Sequence, residues 1–345
     1  MDTISQGKTP HLPATVSVMS QSSSRVRFVV KSTHDPLAED GPNVIRNLSL
    51  SPKKISAVYV YDQLGSQLFE QQCRTPEYYL RRAEAVLLKA YAGDIVRQSG
   101  VLPIVELGAG TAEKTRILLA EYARRGARCD YFPIDVDVDT LAAAAHGLAE
   151  DYPKLFVHCL GGTYEECLAV LPRDGRPRLF LFLGSSLGNM EWHEMQALLA
   201  RISRHTAPGD HLLVGADLDK DPAIIDRAYN DAAGFGARST LNMLTHLNWR
   251  YGGDFAMDQF AYRSVYDAGA RRNEVRIESL ARQTVTLRNL ELRIALGESE
   301  LIDAEVMWKF EPTELTQLLE NAGFSMMREW IEPIYRYGIF LLRRQ

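Results

Sequence analysis

Apolar residues fall along this chain in two alternating rhythms. Short runs with little polar interruption, Ile104 to Leu107, Tyr131 to Asp135, Lys154 to Leu160, Arg178 to Leu183 and His211 to Val214, read as strands buried on both faces. Between them, Lys114 to Arg125, Asp137 to Glu150 and Trp192 to Arg204 repeat their apolar positions at helical spacing, with a shorter helix over Glu165 to Val170. Such alternation predicts a doubly wound α/β sheet. Ahead of it, residues 1–24 are rich in Ser, Thr, Gln and Pro and read as a disordered tail, and Val26 to Val30 reads as a short strand. Ile45 to Phe69 is helical and polar-aromatic, and Pro76 sets Tyr78 and Tyr79 on a turn into a long helix from Arg81 to Gln98. After Pro222 the rhythm changes. Ile224 to Leu247 reads as one long helical stretch, followed by antiparallel strands at Val275 to Leu280, Thr284 to Leu287, Leu290 to Leu296 and Val306 to Phe310. A helix over Pro312 to Ala322 leads to a closing hairpin of Phe324 to Ile331 with Tyr337 to Leu342, and no internal repeat is visible.

The stretch from Val101 to Thr115 carries the first chemical signal. A buried strand, interrupted by Pro103 and Glu106, ends in a turn at Gly108 and Gly110, and a helix starting near Glu113 would aim its free N–H groups at whatever lies on that turn. On the next strand Asp135 stands where nucleotide folds hold a ribose hydroxyl pair. Two cofactors fit two glycines and a distal acid. A dinucleotide site prefers a third glycine under its pyrophosphate, and here that position is Glu113, whose carboxylate would repel it. The cationic sulfonium and amino groups of S-adenosylmethionine suit the acidic surroundings better, although a plain strand-turn-helix corner with no ligand stays open on these residues alone. Ligands of open parallel sheets bind beyond the carboxyl ends of the strands, so the second turn, Gly184-Ser-Ser-Leu-Gly-Asn189, should face the same crevice.

Composition narrows the class. At 345 residues and 46% hydrophobic content the chain can bury one large core or two moderate ones. A net charge of −5, with signs interspersed and no basic stripe, provides no field for nucleic acid or an anionic membrane. The 4 cysteines form no C-x-x-C pair and the 8 histidines show no metal-ligand spacing, so reduced thiols and no metal site are expected. There is no signal-peptide core and no apolar run long enough to span a membrane, so a cytoplasmic protein, and a monomer, is expected.

At Thr75-Pro-Glu-Tyr-Tyr79, Gly184-Ser-Ser-Leu-Gly-Asn189 and Ala228-Tyr-Asn-Asp231, and again at Tyr61 to Phe69 and Ala304-Glu-Val-Met-Trp-Lys-Phe310, the chain resembles the histidine Nα-methyltransferases of ergothioneine biosynthesis. The resemblance runs from about Tyr59 to the C-terminus. It implies an α/β fold in which a Rossmann-like, seven-stranded class I methyltransferase sheet is joined to a second, α+β substrate-binding domain. The expected division puts residues 25–83 and 220–308 in the substrate domain and 84–219 with 309–345 in the S-adenosylmethionine domain. By the resemblance Gly108, Gly110, Lys114, Asp135, Thr163, Tyr164, Gly184 and Ser185 contact S-adenosylmethionine, Asp135 through the ribose; Thr163-Tyr164 replace the Asp-Phe that members often place near the adenine. Tyr61, Tyr78, Gly184, Asn189, Tyr229, Glu305 and Met307 correspond to the substrate pocket, with Tyr61 and Tyr78 near the reacting amine, Asn189 and Tyr229 on the carboxylate and Glu305 on the imidazole.

Two positions depart from the family. Met307 stands where members carry a serine that donates to the second imidazole nitrogen, and Val275 stands where methionine is usual. A thioether donates no hydrogen bond. An indole N–H could use Glu305 without the serine, which leaves tryptophan or a derivative as the rival substrate. A non-catalytic binding protein and a protein methyltransferase are the readings from other classes. Each residue also has a plain structural alternative: Asn189 as a helix cap, the two tyrosines as packing at a domain seam, Glu305 as an exposed acid on a ladder.

Overall fold

The computed structural model describes residues 25–31 and 37–345; the tail expected over residues 1–24 lies outside the described residues. In chain order the first elements are β1 (Val26–Lys31), α1 (Gly41–Leu48), β2 (Lys53–Lys54), α2 (Gln63–Gln72) and α3 (Leu80–Ser99). The βα alternation follows: β3 (Ile104–Leu107), α4 (Thr115–Arg124), β4 (Cys129–Asp135), α5 (Val138–Asp151), β5 (Leu155–Gly161), α6 (Tyr164–Ala169), β6 (Leu179–Phe182), α7 (Trp192–Arg204) and β7 (His211–Asp217). Next are α8 (Pro222–Tyr229), α9 (Phe235–Tyr251), β8 (Phe260–Asp267), β9 (Arg272–Ser279), β10 (Gln283–Leu287), β11 (Leu292–Leu296) and β12 (Leu301–Trp308). The chain closes with α10 (Pro312–Asn321), β13 (Phe324–Ile331) and β14 (Tyr337–Arg344).

The large sheet has 8 strands in the order β1-β5-β4-β3-β6-β7-β14-β13. Strands β3, β6 and β7 are buried along their whole length, which is why their sequences read as unbroken apolar runs. One more strand is present than the 7 expected, because β1 adds in parallel to β5. That strand therefore lies in the large sheet, not with the smaller one to which the 25–83 division assigned it. The hairpin β13–β14 adds antiparallel to β7, as the closing strands predicted.

From β3 the chain crosses to β4 and β5 on one side, and from β6 to β7 on the other. The turns after β3 and β6 therefore flank the point at which strand order reverses, where a doubly wound sheet leaves a crevice. The two faces of the sheet carry two cores, and a third core is separate: α1 and α9 against a 4-stranded sheet in the order β2-β12-β9-β8.

Three features of that third region differ from the reading of the sequence. The stretch 224–247 is two helices, because Asp231 accepts from the Phe235 and Gly236 N–H groups at 2.8 and 2.9 Å and starts a new helix beside Gly234 at φ 67°. The unexpected strand β8 carries a masked pattern: Phe260, Tyr262 and Tyr266 share its inner face, but Ser264 lies among them and Val265 is 59% exposed on the outer face. The strand expected over Val306 to Phe310 begins earlier, at Leu301. No described helix is long and apolar enough to cross a membrane, no group of described residues could hold a metal ion, and the 4 cysteines are free and buried.

Candidate active site

The glycine turn is locked to the neighbouring strand by backbone. Gly108 and Ala109 both donate to the Ile134 carbonyl, at 2.9 and 3.0 Å. The Gly110 N–H donates to Asp135 at 2.8 Å, and the Asp137 N–H reaches the other carboxylate oxygen at 3.0 Å. Burial raises the Asp135 carboxyl above its usual range, against these bonds. Gly108 and Gly110 adopt φ of 71° and 50°, which a side chain would resist. A Cβ on Gly110 would meet nothing within 4 Å, so bare backbone faces open space there, whereas one on Gly108 would lie 3.1 Å from the Tyr164 hydroxyl.

Glu106 faces inward, accepting from Thr115 at 2.6 Å and from the Tyr131 hydroxyl; burial pushes its carboxyl up to about 7. Glu113 is exposed, 3.8 Å from Arg81. Thr163 is occupied in a capping box with Glu166, which leaves Tyr164, edge-on to Phe182 at 6.1 Å, as the ring nearest the turn.

Sequence reasoning missed the residue that ties the crevice together. Glu84, fully buried on α3, accepts from the Gly184 N–H at 2.8 Å and the Tyr337 hydroxyl at 2.7 Å, and pairs with Lys114 at 2.7 Å. Gly215 leaves the space for it, since a Cβ there would lie 2.0 Å from the Glu84 carboxylate. A Cβ on Gly184, at φ 81°, would lie 2.9 Å from the Lys114 Nζ, so the two turns meet across this pair. An acid on the apolar face of α3, between Ala83 and Leu87, was the signal that could have found it. Because Glu84 offsets Lys114, the crevice keeps the Asp135 carboxylate beside the glycine turn without surplus positive charge. That balance suits a cationic ligand and disfavours a pyrophosphate.

On the other side of the crevice, Tyr78 stands edge-on to Phe69 at 6.0 Å and to Tyr229 at 6.1 Å. Tyr61 keeps 54% of its surface open, yet after burial the groups that raise its hydroxyl are Glu305, Tyr164, Cys73 and Asp135, from both sides of the crevice. Its hydroxyl thus lies within reach of charges on both the glycine-turn side and the β12 side of the crevice. A bulge between Asp303 and Glu305 re-aims Glu305 so that it lies directly opposite Val275, and Met307 lies opposite Asn273 on the same face. Glu305 accepts from the Thr240 hydroxyl at 3.2 Å, and Met307 sulfur receives only a weak contact from the Asn273 amide at 3.9 Å.

Asn189 is exposed and caps nothing: the following helix is capped by Glu191, boxed with Glu194. Ser185, in the left-handed region at φ 58°, accepts from the Asp217 N–H at 3.0 Å and so joins the glycine turn to a second buried network. In that network Tyr79 donates to Asp217 at 2.7 Å, Lys220 and Lys309 both pair with Asp217, and Lys309 donates to the Tyr229 hydroxyl at 2.7 Å.

The Glu305 carboxyl is pushed up to about 7 by burial, with Thr240 opposing. The unfolded chain releases this proton near the ordinary value of 4.5 while the folded chain holds it to about 7, so stability falls as pH rises through that window and stays lower above it. Glu305→Gln is therefore expected to melt higher than the parent at pH 8, with the gap closing toward pH 4.5. Calorimetric melting at both pH values checks this, and a gap independent of pH would show that the carboxyl is not held protonated.

A reversed-order parallel sheet with an antiparallel edge hairpin, and a glycine turn with a distal acid at the switch point, define a class I methyltransferase that uses S-adenosylmethionine. Residues 39–344 match the model of a family described as histidine-specific, S-adenosylmethionine-dependent methyltransferases, and the chain belongs to that family. It is 36% identical over 299 residues to the histidine N-alpha-methyltransferase of Mycobacterium tuberculosis, covering 87% of this chain and 93% of that one. The enzyme of the same name from Mycolicibacterium smegmatis is 35% identical over 307 residues, covering 88% and 94%. A more distant relative, the 4-dimethylallyltryptophan N-methyltransferase of Claviceps purpurea, is 26% identical over 213 residues, covering 58% of this chain and 61% of that one. The protein is thus an S-adenosylmethionine-dependent amino-acid Nα-methyltransferase.

Proposed function

We propose that this enzyme, a cytoplasmic monomer, trimethylates the α-amine of L-histidine to its betaine, hercynine. Residues 84–219 with 309–345 hold S-adenosylmethionine, and residues 25–83 with 220–308 close over the amino acid, apart from the β1 strand that completes the large sheet. The observation that carries the histidine reading is Glu305: a carboxylate re-aimed by a bulge, held by Thr240 and facing an aromatic cleft, where an imidazole N–H can donate to it.

The cosubstrate, gripped by bare backbone at Gly108 and Gly110, by Asp135 at the ribose and by Tyr164 beside the adenine, supplies a methyl already activated by the sulfonium charge. The residues of this chain mainly position the amine. Asn189 and Tyr229 take the carboxylate, Glu305 the ring, and the amine falls between Tyr61 and Tyr78. Burial holds both tyrosine hydroxyls well above their usual range, so they stay neutral and orient the amine lone pair by hydrogen bonding. Before each transfer the ammonium gives one proton to water, freeing the lone pair; the N–CH3 bond then forms as the S–CH3 bond breaks, and S-adenosylhomocysteine leaves. After the third transfer, the aromatic faces tolerate the fixed cation.

A second reading has its own observation. The positions flanking Glu305 are Val275 and Met307, two apolar side chains that offer no hydrogen bond to a second imidazole nitrogen and suit the carbocyclic face of an indole. Tryptophan or a derivative would then be the substrate, as the name of the Claviceps relative suggests. Incubation with S-adenosylmethionine and each of the twenty free amino acids, read by mass spectrometry, decides between them. Histidine carrying three added methyl groups is the expected product; methylation confined to tryptophan selects the second reading, and label found only in polypeptide or nowhere rejects both.

A further inference from the structure

Lys309 is 1% exposed, at the end of β12 two residues beyond Met307. Its ammonium lies 3.0 Å from Asp217 and donates to the Tyr229 oxygen at 2.7 Å. Asp217 is fully buried and already has a cation in Lys220, whose side chain is 2% exposed and donates to Tyr79 at 2.7 Å. Two ammoniums thus share a single carboxylate. A buried salt bridge needs one partner, and a second buried cation is costly unless something else neutralises it. The group next to the surplus charge is Tyr229, which faces Tyr78 in the cleft and whose backbone carbonyl is fixed by the Tyr262 hydroxyl at 2.7 Å. Its phenol oxygen accepts from Lys309, so its own proton is left for a ligand. An anion there would complete the charge balance.

We propose that Lys309 is a positioning residue for the substrate carboxylate: it holds the Tyr229 hydroxyl by its oxygen and, with Lys220, supplies a buried surplus of positive charge that the carboxylate neutralises. This rests on the reading above that Tyr229 meets the amino-acid carboxylate. A purely structural Lys309 would serve Asp217 alone and would be indifferent to the ligand's charge.

The test compares L-histidine with its primary amide, which keeps the ring and the amine but loses the anion, by calorimetry with S-adenosylhomocysteine present. Parent protein, Lys309→Met, Lys309→Gln and Tyr229→Phe are measured, and S-adenosylhomocysteine binding reports that each is folded. Removing the Lys309 charge is expected to weaken binding of the acid roughly 10- to 100-fold while leaving the amide unchanged, as loss of a charged hydrogen-bond chain would. In the Tyr229→Phe background the same change should cost much less. Lys309→Gln, which keeps a donor of similar length, covers the case in which Lys309→Met does not fold. Unchanged preference for acid over amide in Lys309→Gln would overturn the proposal. Parent protein that binds neither histidine nor tryptophan would instead overturn the functional reading; if tryptophan binds, tryptophan and its amide are the pair used.

Discussion

Glu305→Ala is expected to lower kcat/KM for L-histidine roughly 10- to 100-fold, while S-adenosylmethionine binding stays at the parental level. Assayed at pH 8, above the value of about 7 to which burial lifts it, Glu305 is a carboxylate facing the cleft and suited to accept an imidazole N–H, and a buried hydrogen bond with an ionic partner is worth about 1.5–3 kcal/mol. The loss should be specific. Thr240, which now donates to Glu305 at 3.2 Å, would be left without that partner, but the glycine turn and the Glu84–Lys114 pair belong to another part of the crevice and should not respond. Steady-state kinetics with histidine, run beside calorimetry with the cosubstrate, separates these effects. Histidine turnover equal to the parent's would refute contact between Glu305 and the ring. A smaller loss for tryptophan than for histidine is expected, because removing a buried carboxylate from a wall lined by Val275 and Met307 makes that wall more apolar.

Glu305 also shows how far sequence could go. Its place in the Ala304–Phe310 motif was legible through the resemblance, but its orientation was not, because the bulge that turns it depends on pairing with β9. Strands β3, β6 and β7 of the central sheet were legible because each is buried on both faces and so reads as an apolar run whatever its neighbours are. Strand β8 puts Ser264 on its inner face and Val265 on its outer one, which blurs the alternation and leaves no such signature. The break at Asn230 to Gly234 came from an Asp231 cap that could equally have been an exposed acid. Glu84, Asp217, Lys220 and Lys309 escaped because each is explained by a partner distant in the chain or on another element. Glu84 meets Tyr337, and Lys309 meets Tyr229. A charged residue inside an apolar pattern marks such a site; it does not name the partner.

Asp217→Asn is expected to be the most destabilising single change in this network, by about 3–5 kcal/mol, because it leaves two buried ammoniums with no carboxylate between them. At the entropy of unfolding of a chain this long, that corresponds to a melting point lower by roughly 5 °C. Burial alone would raise the Asp217 carboxyl, but Lys309 and Lys220 outweigh it and hold the group below its usual range. Its contribution is therefore fully present at neutral pH and is lost only as pH falls through that lowered value, so parent and variant should converge in strong acid. Combining Asp217→Asn with Lys220→Met should recover part of the loss, since it removes one of the stranded charges, whereas independent sites would add. Scanning calorimetry of the two single variants and the double variant measures the coupling. A strictly additive result would mean that the ammoniums do not share Asp217, and the surplus charge that points Lys309 toward a substrate carboxylate would vanish with it.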